Sequence, residues 1–211
     1  MLLLFTTIFL LGFYGMLLLY YLYHWKKAAI YQPTPTAQKR FLSVVIAARN
    51  EEHTLHRLIQ ALEQQDYPKD AFEVIVVNDH STDGTAQLGA TLPQGFQMIL
   101  PNVSAAESSK KKAIASGVLA AKGEVIVVTD ADCVVPPQWL STIAAYQQEK
   151  GAQFIAAPVK FTHDNRLLQV FQALDFLVLQ GITAASVSAR FHSMANGANL
   201  AYTKQAYQNV N

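Results

Sequence analysis

Glu124-Val125-Ile126-Val127-Val128-Thr129-Asp130-Ala131-Asp132 is a run of β-favouring apolar residues that stops at two carboxylates two positions apart. A short apolar run without polar alternation predicts a strand covered on both faces of a sheet. Side chains two apart at its end lean the same way, into the crevice beyond the carboxyl edge of an open α/β sheet. Asp130 and Asp132 are therefore candidates for a single site. Like charges so close repel, and a hard divalent cation, Mg²⁺ or Mn²⁺, held together with a phosphate resolves that repulsion. The plainer alternative is an acidic turn after a strand, and the neighbouring strand ends bear on the choice.

Outward from this stretch the chain alternates. Strands are predicted at Leu42–Ala47, Phe72–Val77, Phe96–Leu100 and Glu124–Thr129, with helices at His53–Gln65, Asp83–Ala90 and Ser109–Ala121 between them. Pro136 and Pro137 open a further helix to about Glu149, and Gln153–Lys160 reads as another strand. Such alternation predicts a mostly parallel, Rossmann-like sheet with helices on both faces and ligands at the carboxyl ends of its strands.

Those ends are polar. The first runs into Ala47-Ala48-Arg49-Asn50-Glu51-Glu52, a turn without glycine, which argues against a dinucleotide fingerprint and against a nucleotidyltransferase loop. Asn50 and Glu51 either hydrogen-bond the base and ribose of a nucleotide or cap the next helix. The second strand ends in Asn78-Asp79-His80-Ser81-Thr82-Asp83-Gly84, and the Asp79 carboxylate suits the imide N–H of a uracil-type ring; Asp83 fits a helix first turn. Lys110, Lys111 and Lys112 crowd a helix start that the macrodipole makes unfavourable for cations by roughly 0.3–1 kcal/mol each. A diphosphate would compensate them; a solvated basic turn paired with Glu107 is the alternative.

Composition bounds the rest. The 211 residues are 51% hydrophobic with a formal net charge of +1, so no charge field points to nucleic acid. No Lys, Arg, Asp or Glu precedes Lys26, and the apolar Leu2–Tyr23 would reach about 33 Å as a helix, enough to cross a hydrocarbon core. A cleaved secretory signal would show a basic start and a small-residue cleavage site, and neither is present. Residues 1–25 are thus read as one membrane helix and 26–40 as a linker, with the folded domain from 41 to 211. Lys26, Lys27, Lys39 and Arg40 place the chain after the helix in the cytoplasm by the positive-inside rule, with Tyr20, Tyr21, Tyr23 and Trp25 as interfacial anchors. The single Cys133 excludes an internal disulfide, in agreement with a reducing compartment, and reads as a small buried side chain. The apolar Arg166–Arg190 stretch carries Asp175 and several glutamines, which favour a helix beneath the site or against the membrane surface over a second span.

Five segments in order, Val-Val-Ile-Ala-Ala-Arg-Asn-Glu-Glu, Val-Asn-Asp-His-Ser-Thr-Asp-Gly-Thr, Lys-Lys-Lys-Ala-Ile, Thr-Asp-Ala-Asp and Asn196-Gly197-Ala198-Asn199, resemble the family 2 glycosyltransferases of the GT-A fold, over roughly Leu42 to Lys204. The resemblance implies a nucleotide-diphosphate sugar site, UDP-sugar favoured, formed by Ala47, Arg49, Asn50, Glu51, Asp79, Lys110 and Asp130. In it Asp79 meets the base, Glu51 the ribose and Lys110 the diphosphate, while Asp130 and Asp132 hold Mg²⁺ or Mn²⁺. Asn196, Gly197 and Asn199 would face a glycan or lipid acceptor. Ser109-Lys110 and Ala115 depart from the Gly-Lys and Asn that the family often carries, which softens the lysine assignment. The family's acidic general base follows the Asn-Gly-Ala-Asn stretch, so it is expected beyond Asn211. The expected activity is metal-assisted, inverting transfer to a hydroxyl; a membrane-tethered nucleotide-sugar binding subunit without catalysis is the alternative.

Overall fold

Seven consecutive residues of the first strand, β1 (Leu42–Ala48), are apolar or small, and all but one are buried. In the computed structural model, which describes residues 1–28, 30–33, 40–162, 164, 166–191 and 194–210, β1 lies at the centre of a six-stranded sheet. Parallel partners flank it: β2 (Phe72–Asn78) on one side, with Leu42 opposite Phe72, and β4 (Val125–Asp130) on the other, with Leu42 opposite Val125. β3 (Phe96–Ile99) extends the parallel part beyond β2. β6 (Leu200–Thr203) pairs antiparallel with β4, and β5 (Phe154–Ala156) closes the order β3-β2-β1-β4-β6-β5. The expected mostly parallel α/β sheet is present.

Period-two side chains divide the core between the two faces. Val44, Ile46, Val74, Val76 and Val127 pack under α2 (Leu55–Glu63) and α4 (Trp139–Lys150). α2 buries Leu55, Leu58, Ile59 and Leu62, the i, i+3, i+4, i+7 stripe of an amphipathic helix. α4 ends at Gly151, whose φ of 61° is the left-handed C-terminal stop that glycine adopts without penalty. On the other face Val45, Ile75, Val77, Ile126 and Val128 lie under α3 (Lys110–Ala120). Close approach there requires Gly117, since a Cβ on it would overlap a Val45 methyl and stand 3.1 Å from Val77 Cγ2. At the opposite edge from the site, buried Glu73 accepts hydrogen bonds from the Ser43 hydroxyl at 2.7 Å and the Lys122 N–H at 2.6 Å, tying β1 and β2 to the turn before β4.

Two local expectations differ. The helix predicted at Asp83–Ala90 is a 3₁₀ segment at Ala86–Thr91, because Asp83 takes the Thr85 N–H and hydroxyl and Gly89 settles onto Met98. The strand predicted at Gln153–Lys160 is held to Phe154–Ala156, the only length of it that β6 pairs.

The described residues fall into two compact units. One comprises Gln32–Ala157 and Asn196–Asn211, which contains the whole sheet. The other comprises Met1–Tyr31 and Pro158–Ala195, in which α1 (Leu2–Lys27) packs against α5 (Leu167–Ala189). α1 has a mean hydropathy of 2.3, is long and apolar enough to cross a bilayer, and buries none of its residues. Ala29 and residues 34–39 of the linker, Lys39 among them, and the terminal Asn211 lie outside the described residues.

Candidate functional site

The sheet order turns back at β1: β2 and β3 lie to one side and β4 to the other. Loops leaving the carboxyl ends of β1, β2 and β4 meet along this edge of the sheet, the usual ligand position of such folds. A cavity of about 310 Å³ lies there. Its walls include Ala47, Arg49 and Glu51 after β1, Asp79 after β2, Lys110 at the start of α3, and Asp130 with Asp132 after β4. Segments as much as 85 residues apart in sequence, Ala47 to Asp132, are thus brought together by parallel registration of three strands.

The β1 and β2 loops brace one another. Asn50, at φ 59°, accepts the Thr82 N–H on its side-chain oxygen at 2.8 Å and donates its own N–H to Ser81 Oγ at 3.0 Å. The Glu51 N–H reaches Thr85 Oγ1 at 2.8 Å, and the Asp79 N–H reaches the Ala48 carbonyl at 2.8 Å. Asn50 thus serves the clasp between the loops and does not line the cavity, whereas Glu51 does. Asp83 belongs to the same clasp. Against the desolvation of its surroundings, hydrogen bonds from Thr85 and the Glu52 N–H hold its carboxyl below the usual range.

The chemistry-bearing groups sit behind this brace. Asp79 is 4% exposed, and the Ser108 hydroxyl donates to its Oδ1. Sequence reading missed Ser108; only the path of the loop before α3 brings it to a strand end 29 positions earlier. Lys110 Nζ lies 2.6 Å from Asp130 Oδ1, so the first lysine of the basic turn faces the site. Glu107, the alternative partner, instead accepts the Ser104 hydroxyl at 3.0 Å. Ser109 caps α3 by accepting the Lys112 N–H. Cys133 is half-buried beside Asp132, and burial pushes its thiol pKa up, away from nucleophile chemistry.

Asn196, Gly197 and Asn199 form the turn entering β6. Because Leu200 pairs with Val128 antiparallel, this turn stands at the carboxyl end of β4, the end that carries Asp130. Asn196 Oδ1 accepts the Ala198 N–H at 2.9 Å, and Asn199 Oδ1 accepts the Trp139 indole N–H at 2.9 Å. The asparagine side chains fasten the turn, and Gly197 has open space where a Cβ would be.

The donor set fits a divalent cation shared with a ligand. Asp130 and Asp132 both line the cavity and would offer hard oxygen ligands, and among the described residues no group of three or more His, Cys, Asp or Glu could hold a metal alone. Two carboxylates alone would leave coordination positions open to diphosphate oxygens and water.

Comparison with known proteins agrees with the geometry. Residues 43–192 match Glycosyl transferase family 2. The chain is 31% identical over 123 residues to the beta-monoglucosyldiacylglycerol synthase of Nostoc sp., covering 57% of this chain and 26% of that protein. It superposes on S. aureus TarS 1-349 in complex with UDP-GlcNAc with a TM-score of 0.50 at 26% identity, covering 60% of this chain and 36% of that one. The mannosyltransferase PcManGT from Pyrobaculum calidifontis, in complex with GDP-Man and Mn²⁺, shares the fold with a TM-score of 0.67 at 22% identity over 93% of this chain and 55% of that one. The chain spans less than half the length of the curated relatives it matches. A family match over most of the chain, on a sheet that assembles the same motifs at one crevice, makes this protein a member of glycosyl transferase family 2.

Proposed function

We propose that this chain binds a nucleotide-diphosphate sugar, with UDP-sugars favoured, and transfers the sugar with inversion to a hydroxyl of a lipid or glycan acceptor. The observation that carries the reading is the gathering of Asp79, Lys110, Asp130 and Asp132 around one cavity. Asp79 accepts the imide N–H of the base, oriented by the Ser108 hydroxyl on its other oxygen. Glu51 receives the ribose. Lys110 leaves Asp130 and donates to the diphosphate, stabilising charge that grows on the leaving group. Asp130 and Asp132 would hold Mg²⁺ or Mn²⁺, which when bound supplies Lewis-acid neutralisation of the diphosphate.

In the transfer, the bond from the anomeric carbon to the acceptor oxygen forms as the bond to the diphosphate oxygen breaks. The acceptor proton passes to a carboxylate general base. The turn at Asn196–Asn199 forms the acceptor side of the crevice. α1 anchors the protein in the membrane with the sheet domain on the cytoplasmic side, following the lysines at its end. UDP-GlcNAc in the TarS complex and the glucosyldiacylglycerol in the name of the Nostoc relative support a UDP-sugar and a lipid, respectively.

Incubation of the intact protein with UDP-hexoses, Mn²⁺ and lipid or glycan acceptors tests this. Acceptor-dependent release of UDP is expected. Donor binding without release under every acceptor class would leave the non-catalytic binding subunit, and absence of nucleotide-sugar binding would overturn both.

A further inference from the structure

α5 carries an apolar ridge that no group among the described residues covers. Leu167, Phe171, Leu174 and Val178 follow one another at helical spacing of four, three and four, and are 89%, 67%, 56% and 60% exposed. Ridges of this size on a helix of 23 residues and mean hydropathy 1.5 do not stay in water. Leu168 and Leu179, 67% and 43% exposed, widen the ridge on the side that also carries Gln172 and Asp175, and Gln180 is turned inward, its side-chain oxygen accepting the Val159 N–H.

We infer that α5 lies along the membrane surface, its ridge immersed at the boundary of headgroups and acyl chains, on the side where α1 emerges. This rests on the reading of α1 as a membrane anchor. Three observations commit the ridge to lipid in that orientation.

First, α5 packs against α1 itself, so its surroundings continue those of a helix whose exposed surface suits only hydrocarbon. Second, the contact level is interfacial. Phe191, just past the α5 end, stands edge-on to Tyr20 at 6.3 Å, within the Tyr20, Tyr21, Tyr23 and Trp25 girdle that precedes Lys26. Third, both links of α5 return to one point. The Ala157 N–H donates to the Asn199 carbonyl at 3.0 Å, so the excursion from Pro158 to Ala198 leaves and rejoins the sheet at the same place. A spanning α5 would need the link before it to cross the bilayer, and that link carries Lys160, Asp164 and Arg166. Charges in hydrocarbon forbid that path, whereas Arg166 and Arg190 at the two helix ends both reach headgroups when the helix lies flat.

The test uses the full chain in lipid nanodiscs, with Cys133→Ser as background and single cysteines in place of Leu10, Phe171, Leu174, Val178 and Gln172, each nitroxide-labelled. Electron paramagnetic resonance then compares relaxation by oxygen, which partitions into lipid, with relaxation by a water-soluble nickel chelate. Expected are shallow depths, about 5–10 Å below the phosphates, at 171, 174 and 178 alike, water exposure at 172, and a deep Leu10 position. A depth that increases steadily along α5 toward the bilayer centre would replace the surface helix with a span. Labels at the ridge protected from both relaxants would mean a protein partner, and labels open to the chelate would mean a helix in water; either result sinks the inference. A Leu10 label in water would instead remove the anchor on which it stands.

Discussion

Replacing Lys110 by Ala separates what this lysine does for the fold from what it does for the ligand. Its ammonium is 2.6 Å from Asp130 Oδ1, but the lysine side chain is 56% exposed and the aspartate 28%. An ion pair so open to water is screened and contributes about 0–1 kcal/mol. Removing a cation from the first turn of α3 returns about 0.3–1 kcal/mol through the helix dipole. These terms oppose each other, so the net stability change is close to zero and the melting temperature should move by no more than about 2–4 °C. With donor bound, the same ammonium makes a charge-assisted hydrogen bond to a diphosphate, worth about 1.5–3 kcal/mol. Its loss weakens binding by about 10- to 150-fold. Calorimetric titration of UDP into the protein with Mn²⁺ present, beside a thermal melt, reads both quantities. UDP affinity within about twofold of the parent at an unchanged melting temperature would refute the placing of the diphosphate at Lys110.

Asp132→Asn should abolish the dependence of UDP affinity on Mn²⁺ while leaving the metal-free affinity close to the parent value, which titrations with and without the ion measure. Gly123→Ala should destabilise the sheet domain by about 1–3 kcal/mol, read from denaturant midpoints, because its Cβ would stand 2.8 Å from the Phe41 carbonyl oxygen and the Ser43 nitrogen, backbone atoms that cannot turn away. Tyr202, half-buried and stacked on Tyr207 at 5.4 Å, has its phenol pushed up to about 12 by that burial and the neighbouring phenol. A phenol raised above its ordinary value of about 10 keeps the folded state favoured below pH 10 and loses that contribution as pH rises toward 12. Ultraviolet titration of the nine tyrosines should show a late-ionising phase that Tyr202→Phe removes; a titration unchanged by the substitution would contradict the burial.

Much of the site was legible before any fold was known, because strand ends in an open parallel sheet face one edge. Asp79, Asp130 and Asp132 could be placed together from the apolar runs that precede them, and all three line the cavity. Asn50 was equally conspicuous and behaves differently, since a short amide beside a second polar loop has competing uses and only the position of Thr82 shows which one applies. Ser108 gave no signal at all: one serine among the polar residues before a helix is ordinary until the loop path sets it against Asp79.

The periodicity of side chains determined the sheet, the two faces of its core and the apolar N-terminal helix, because burial of alternating or continuous apolar positions is a local demand that each segment states for itself. The partners of α5 were not decided that way. An apolar helix with a few polar residues satisfies the same pattern beneath a sheet, across a bilayer or along its surface. Only tertiary contacts, α5 against α1 and Ala157 joined to Asn199, restrict where such a helix can go, since they state which ends must meet and which surfaces remain for solvent or lipid.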